Sequence, residues 1–67
     1  VDASDIKIQL LLIAGDLKEG QVILKNAPYS FKEGDTIASK LTAEKIESSG
    51  VTFKQPDGSI LKLNFIN

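Results

Sequence analysis

The sequence contains no cysteine, histidine, methionine or tryptophan. Enzymes that pair a nucleophile with a base need a group that titrates near neutral pH or an activated thiol, which histidine and cysteine supply. A pair of carboxylates is the remaining option, but general acid catalysis needs one carboxyl group in an apolar pocket. Because 67 residues leave little volume for such a pocket, we predict that the protein is not an enzyme and holds no cofactor.

Metal-binding and phosphate-binding patterns are also missing. Without cysteine there is no thiolate metal site and no disulfide framework. The Asp57-Gly58 pair lacks the regularly spaced acids and the closing glutamate of a calcium-binding loop, and no glycine-rich phosphate loop is present. The sequence therefore predicts no metal site.

An excess of charge of one sign is lacking as well. Eight basic and nine acidic residues give a formal net charge of −1, and the two signs are interspersed along the chain. A protein that holds a nucleic-acid backbone needs a basic stripe. We therefore expect no nucleic-acid partner.

Long hydrophobic runs are absent too. The longest one covers residues 8–14 and is interrupted by Gln9, whereas a helix needs roughly 18 to 20 apolar residues to cross a bilayer. We expect that this fragment does not span a membrane. The chain begins at Val1, without an initiator methionine or a signal-peptide pattern, which suggests a domain taken from a longer protein.

What the sequence does contain is a series of short strand patterns separated by turn residues. Alternating or β-branched segments are bounded by glycine, proline, asparagine and aspartate. The first segment goes apolar on both faces in its second half, which predicts a strand that ends buried on two sides, although an amphipathic helix also fits it. The fourth segment also fits a single helical turn. The six predicted strands are 6–14, 21–25, 29–31, 41–47, 50–55 and 59–66.

Turn residues set the boundaries between these strands. Gly34 and Asp35 predict a tight corner, because glycine accepts positive φ and aspartate bonds its own downstream backbone. Asp57 and Gly58, after Pro56, form the strongest hairpin signal in the chain. Residues 15–20 are predicted to be a charged loop. The pattern indicates an all-β fold, a small six-stranded antiparallel sandwich or partly open barrel, with residues 1–5 as a linker remnant and 6–67 as a single β domain.

A strand that is apolar on both faces needs a partner to cover it. An open sheet also has edges with unpaired backbone groups that can recruit another strand. The first predicted strand is therefore the expected interface. The candidate protein-binding residues are Ile8, Leu10, Leu11, Leu12, Ile13 and Val22.

The order of these features resembles a known family. Its elements are Leu12-Ile13-Ala14-Gly15, Val22-Ile23-Leu24, Tyr29-x-Phe31-x-x-Gly34-Asp35-x-Ile37, Leu41-x-x-x-x-Ile46, Gly50-Val51-Thr52-Phe53 and Asp57-Gly58-x-x-Leu61-x-Leu63. Over nearly the whole chain, this order is similar to the periplasmic homology-region domain of type II secretion system component C. The pilus-assembly lipoprotein PilP and type II secretion protein B are related to that domain.

The resemblance implies a six-stranded β-sandwich-like domain in the periplasm, as part of an inner-membrane-anchored protein. Such a domain docks onto the N-terminal periplasmic domain of the outer-membrane secretin and works with other inner-membrane secretion components. The family supplies no catalytic residue to transfer. Only the turn positions Gly34, Asp35 and Gly58 carry over.

A second resemblance is to biotinyl or lipoyl carrier domains. Residues 31–37, followed by Leu41 and by Ile46-Glu47, look like the middle of such a domain. A carrier presents a modified lysine at the tip of a tight hairpin, whereas Lys45 falls in a predicted strand. A carrier domain, or another small β adaptor module, is therefore the alternative function.

Overall fold

The computed structural model describes residues 3–65. Within that range there is no α-helix, which confirms the all-β prediction. The first two residues of the predicted linker remnant and the last two of the predicted domain lie outside the described residues. A short 3₁₀ helix, Ala3–Asp5, precedes seven strands: β1 Ile6–Ala14, β2 Leu17–Leu24, β3 Ala27–Lys32, β4 Thr36–Ile37, β5 Leu41–Glu47, β6 Gly50–Lys54 and β7 Ile60–Asn64.

The strands form two antiparallel sheets and no closed barrel within the described residues. The first sheet has the order β1-β2-β3 and the second has the order β4-β5-β6-β7. The predicted count of six strands is wrong because the two residues of β4 pair with β5, Thr36 with Thr42 and Ile37 with Leu41. The segment that also fitted a helical turn is strand β5, and the segment that also fitted a helix is strand β1.

The core lies between the inner faces of the two sheets. The ring of Phe31 in β3 packs edge-to-face against the ring of Phe53 in β6, with centroids 5.2 Å apart and an interplanar angle of 60°. This aromatic contact joins the two sheets across the core. The buried hydrophobic residues are Ile6, Ile8, Val22, Leu24, Phe31, Ile37, Leu41, Ala43, Ile46, Val51, Phe53, Leu61 and Leu63.

The connections near β2 differ from the sequence prediction. The predicted loop at residues 15–20 is only a tight turn, because Gly15 adopts a φ of 62° and Leu17 already pairs with Ala14. The third predicted strand, 29–31, also starts too late, since Ala27 and Pro28 already lie in β3, opposite Leu24 and Ile23. Strand β3 is the edge of its sheet, where a residue without an N–H is tolerated.

A β-bulge in β1 changes which side chains face the core. The register shifts between Ile8, which pairs with Val22, and Leu10, which pairs with Gln21. Before the bulge the even-numbered residues face inward, and after it Leu11 does so, opposite the buried Gly20. Leu10 consequently lies on the outer face of the sheet, where alternation without a bulge would have pointed it inward.

The second half of β1 is not buried on both faces, contrary to prediction. Leu10, Leu12 and Ile13 are 54%, 45% and 41% exposed. Leu10 and Leu12 are exposed because they lie on the outer face, which points away from the opposite sheet. Ile13 faces inward, and the reason for its exposure is strand length. Strands β1 and β2 have nine and eight residues, whereas the longest strand of the opposite sheet, β5, has seven and its neighbours β6 and β7 have five each. The end of the β1–β2 hairpin therefore extends past the sheet that covers its base.

The turn between β6 and β7 is closed by Asp57 and Gly58. Asp57 Oδ1 accepts hydrogen bonds from the backbone N–H of Ser59 at 2.9 Å and from its hydroxyl group at 2.6 Å. The Ser59 side-chain and backbone bonds hold the pKa of the Asp57 carboxyl below its usual value of 3.8. Gly58 adopts a φ of 91°.

Gly50 provides the first prediction. A Cβ atom at this position would collide with the backbone carbonyl oxygen of Leu63. Leu63 lies in β7, the strand that pairs with β6. A backbone atom cannot rotate away, so we expect Gly50→Ala to lower the free energy of unfolding by more than about 3 kcal/mol. Gly15→Ala is the control, because that site is open and only its positive φ opposes alanine, at about 1 to 2 kcal/mol. Urea unfolding of both variants measures the difference, and equal losses would contradict the steric account.

The turn between β4 and β5 provides the second prediction. Ala38 and Ser39 both adopt positive φ, 52° and 55°, although neither is glycine. We expect the exposed Ser39→Gly substitution to stabilise the fold by about 0.5 to 1 kcal/mol, because it relieves left-handed strain that exceeds the entropy cost of glycine. Ser49→Gly is the matched control, since φ at Ser49 is not positive. Thermal unfolding that shows no gain for Ser39→Gly over this control would contradict the prediction.

Candidate interaction surface

The free edge of β1 is the first component of the candidate site. Strand β1 pairs with β2 on one side only, and no other described strand pairs with its outer edge. Such an edge presents a row of backbone N–H and C=O groups that can hydrogen-bond to another strand. From Leu10 to Ala14 it carries no charged side chain.

The second component is the outer face of the three-stranded sheet. Leu10 and Leu12 lie there, beside the residues with which they pair, Gln21 and Glu19. Across β2 and β3, Lys32 Nζ lies 3.9 Å from Glu19 Oε1. These side chains border an open concavity with a volume of about 330 Å³, whose wall is apolar along β1 and polar along β3.

The tip of the β1–β2 hairpin is the third component. Ile13 faces the same side as the core residues but lies beyond the opposite sheet, next to its pair Lys18. Leu17, at the start of β2, is 39% exposed. Sequence reasoning missed Leu17 because it assigned that residue to a loop. The signal that could have found it is an apolar residue directly after a Gly-Asp turn.

Four exposed large hydrophobic side chains thus belong to one hairpin. They are Leu10, Leu12, Ile13 and Leu17, and the remaining one among the described residues is Ile60 on β7. Leu10, Leu12 and Leu17 share the outer face, and Ile13 lies on the inner face near the tip. Singly scattered apolar residues are normal on protein surfaces, whereas a group on one element indicates an interaction site. We define these four residues together with the free edge of β1 as the hairpin surface.

The structure separates the predicted binding residues into three groups. Leu10, Leu12 and Ile13 lie on the hairpin surface. Leu11 is half-buried and packs against the core, with its side chain lying beside Gly20. Ile8 and Val22 are core residues, 7% and 0% exposed, so their side chains are not available at the surface. The alternation of the first strand indicates that Ile8 lies on a buried face. It does not tell whether that face is buried by the core of this domain or by a partner.

The corner at Gly34 and Asp35 has a structural role that its hydrogen bonds make plain. Gly34 N–H donates to Ala43 O at 2.7 Å, and Ala43 N–H donates to Asp35 O at 2.8 Å. The Asp35 carboxylate accepts the backbone N–H of Lys32 at 2.9 Å. The corner therefore extends the pairing between β4 and β5 to Ala43, one residue beyond the end of the short strand β4.

Glu33 supports the same corner from its side chain. Its Oε2 accepts the backbone N–H of the buried residue Ile46 at 2.9 Å and lies 3.7 Å from Lys18 Nζ. One carboxylate oxygen thus contacts β5 in one sheet and β2 in the other. Both acidic residues beside Gly34 are occupied by backbone groups, and within residues 3–65 no group of three potential metal ligands occurs.

The geometry does not favour the carrier-domain alternative. Lys45 lies inside β5, where it pairs with Thr52 next to a bulge, and not at a hairpin tip. The carrier requires its lysine at a tip. No helix in the described part of the chain has the length and apolar character to cross a bilayer.

Comparison with known proteins finds no matching family model, no similar curated protein and no similar solved structure. The features that bear on function are therefore the geometry of the hairpin surface and the family resemblance of the sequence.

The hydrogen bond from Ile46 to Glu33 can be tested by substitution. Glu33→Ala leaves the N–H of buried Ile46 without its acceptor, which we expect to cost about 1 to 3 kcal/mol of unfolding free energy. Glu33→Gln keeps an acceptor oxygen at the same position and should lose less than half as much. Urea unfolding of the two variants distinguishes them. If both substitutions cost the same, the contribution comes from the Lys18 ion pair and not from the backbone hydrogen bond.

Proposed function

We propose that this chain is a non-enzymatic periplasmic interaction domain of a bacterial type II secretion or type IV pilus machine. Its partner is the N-terminal periplasmic domain of the outer-membrane secretin, and it belongs to a protein anchored in the inner membrane alongside other secretion components. The grouping of Leu10, Leu12, Ile13 and Leu17 on one hairpin carries the proposal of an interaction domain. The identity of the partner rests on the family resemblance.

Docking through this surface has a simple physical basis. Full burial of an exposed leucine or isoleucine side chain contributes about 1.5 to 3 kcal/mol. The side chains of the hairpin surface are 39% to 54% exposed, so each can gain about half of that in a contact with a partner. The Glu19–Lys32 ion pair beside them is exposed, so it contributes little to affinity and limits which partners fit. The hairpin surface is small, and we expect a weak, reversible contact of the kind that links subassemblies of a machine.

The mechanism needs no conformational change in this domain. The base of the hairpin is fixed by core residues such as Val22 and Phe31, which are fully or almost fully buried. The exposed end therefore has a defined shape before it meets a partner. A pre-formed apolar surface loses little conformational entropy on binding, which offsets its small area.

The test is an NMR titration of the isotopically labelled domain with the N-terminal domain of the secretin from the same genome. We expect chemical-shift changes in β1, the start of β2 and the outer face of the first sheet. Leu12→Asp should weaken binding at least tenfold, because the lost apolar contact and the burial of an unpaired carboxylate together exceed the 1.4 kcal/mol that corresponds to a factor of ten.

Ile60→Asp is the matched control. Ile60 is 57% exposed, as Leu12 is partly exposed, but it lies on β7 in the other sheet. The control should bind like the unmodified domain, and circular dichroism should show both variants folded. Absence of any shift at millimolar partner would remove the secretin proposal. Equal loss in both variants would remove the assignment to the hairpin surface.

A further inference from the structure

The free edge of β1 lacks the protection that edge strands usually have. Edges are normally short, charged, interrupted by proline or covered. Strand β1 is the longest strand of the fold, and its only charged residue is Lys7. The bulge at Gln9 interrupts the regular pairing of β1, and residues Leu10 to Ala14 beyond it form a regular, uncharged edge. This five-residue segment is named the open edge below.

We infer that the open edge pairs with the open edge of a second copy of this chain, antiparallel, in a two-fold symmetric dimer. The two three-stranded sheets then join into one six-stranded sheet with the order β3-β2-β1-β1-β2-β3. This inference goes beyond the proposed function, because it concerns the chain alone and does not depend on a secretin. A two-fold axis makes the same edge serve both copies, so the contact closes and cannot propagate into fibres.

Face alternation selects the register of this pairing. With Leu12 on the two-fold axis, Leu12 meets the partner's Leu12 on the outer face, and Leu11 meets the partner's Ile13 on the inner face. Apolar side chains therefore meet apolar side chains at each of these cross-strand pairs, which is the favourable arrangement on a sheet. The bulge at Gln9 lies just outside the paired segment, so it does not interrupt the new ladder.

Charge complementarity favours a second copy over an unrelated apolar strand. Lys7 lies before the open edge and Asp16 lies just after it, and both side chains are exposed. Among the ion pairs of residues 3–65, neither takes part in one. In the antiparallel register, Lys7 of each copy lies within about one residue position of the partner's Asp16. This juxtaposition occurs twice per dimer. A parallel arrangement would instead place like charges together.

Dimer formation would also enlarge the docking face. The new backbone hydrogen bonds use the edge of β1, whereas Leu10 and Leu12 project from the outer face. The outward leucines of both copies would then lie side by side across the two-fold axis. One apolar face of double width results, with the Glu19–Lys32 ion pairs at its two sides.

Analytical ultracentrifugation of the unmodified chain over a range of concentrations tests the inference. We expect a monomer–dimer equilibrium in which Leu12→Lys raises the dissociation constant at least tenfold, because it places two like charges on the axis. Leu12 lies at the surface, so the substitution does not reach the core, and circular dichroism checks the fold. A chain that stays monomeric up to its solubility limit, or a dimer unaffected by Leu12→Lys, would overturn the inference.

A charge exchange tests the antiparallel arrangement with the fold untouched. Lys7→Glu and Asp16→Lys should each raise the dissociation constant about fivefold, since two exposed ion pairs are lost per dimer. The double variant restores opposite charges and should return to within about twofold of the original value. Lys54→Glu, an exposed lysine on β6 of the other sheet, is the control and should change nothing.

Failure of the double variant to recover would overturn the antiparallel pairing. The outcomes are also separable from the proposed function. A strictly monomeric chain that still binds the secretin domain would leave the proposed function standing and remove the dimer. A dimer that follows the charge-exchange pattern but binds no secretin domain would do the reverse.

Discussion

The hydrogen bonds at the corner of residues 33–35 are the constraint on which the relation between the two sheets depends. Between them, Glu33, Gly34 and Asp35 occupy backbone groups of Ala43 and Ile46 in β5. The chain leaves the first sheet at β3 and enters the second at this point, so the corner fixes where β5 lies. Once β5 is fixed, Phe53 of the neighbouring strand can reach Phe31 across the core, and burial of apolar surface does the rest.

Because the strands of the two sheets differ in length, the tip of the β1–β2 hairpin remains uncovered and can contact a partner. The opposite sheet covers the base of the β1–β2 hairpin, where Ile6, Ile8 and Val22 are buried, and ends before the tip. Lengthening β5 to β7 would bury Ile13 and add stability, but it would remove that side chain from the exposed apolar group. Stability and exposure therefore compete at Ile13, as is common where a protein binds a partner.

The sequence predicted the features that depend on neighbouring residues. Alternation and the Gly34-Asp35 and Asp57-Gly58 pairs were enough for an all-β fold with antiparallel strands. Strand β4 is not predicted because two residues are too few to show alternation. The predicted start of β2, at residue 21, is too late because the charged residues Lys18 and Glu19 are typical of a loop. The outward orientation of Leu10 and Leu12 could not be read locally, since it depends on the bulge at Gln9. The exposure of Ile13 could not be read either, since it depends on how far the opposing sheet extends. Likewise, the bond from Glu33 to Ile46 spans 13 residues.

The bulge at Gln9 shows how little is needed to convert a core strand into a binding strand. Ile6, Ile8, Leu10 and Leu12 share one parity, and an unbroken strand would direct all four toward the core. One extra residue reverses the assignment: Leu11 now packs beside Gly20 and the core, and the two leucines on either side of it face outward. The bulge interrupts regular pairing at one position. The burial of Leu11 offsets only part of the hydrophobic stabilisation that Leu10 and Leu12 would contribute if they were buried. The outward leucines are apolar surface that a partner or a second copy can still bury, so the local irregularity in β1 creates part of the proposed interface.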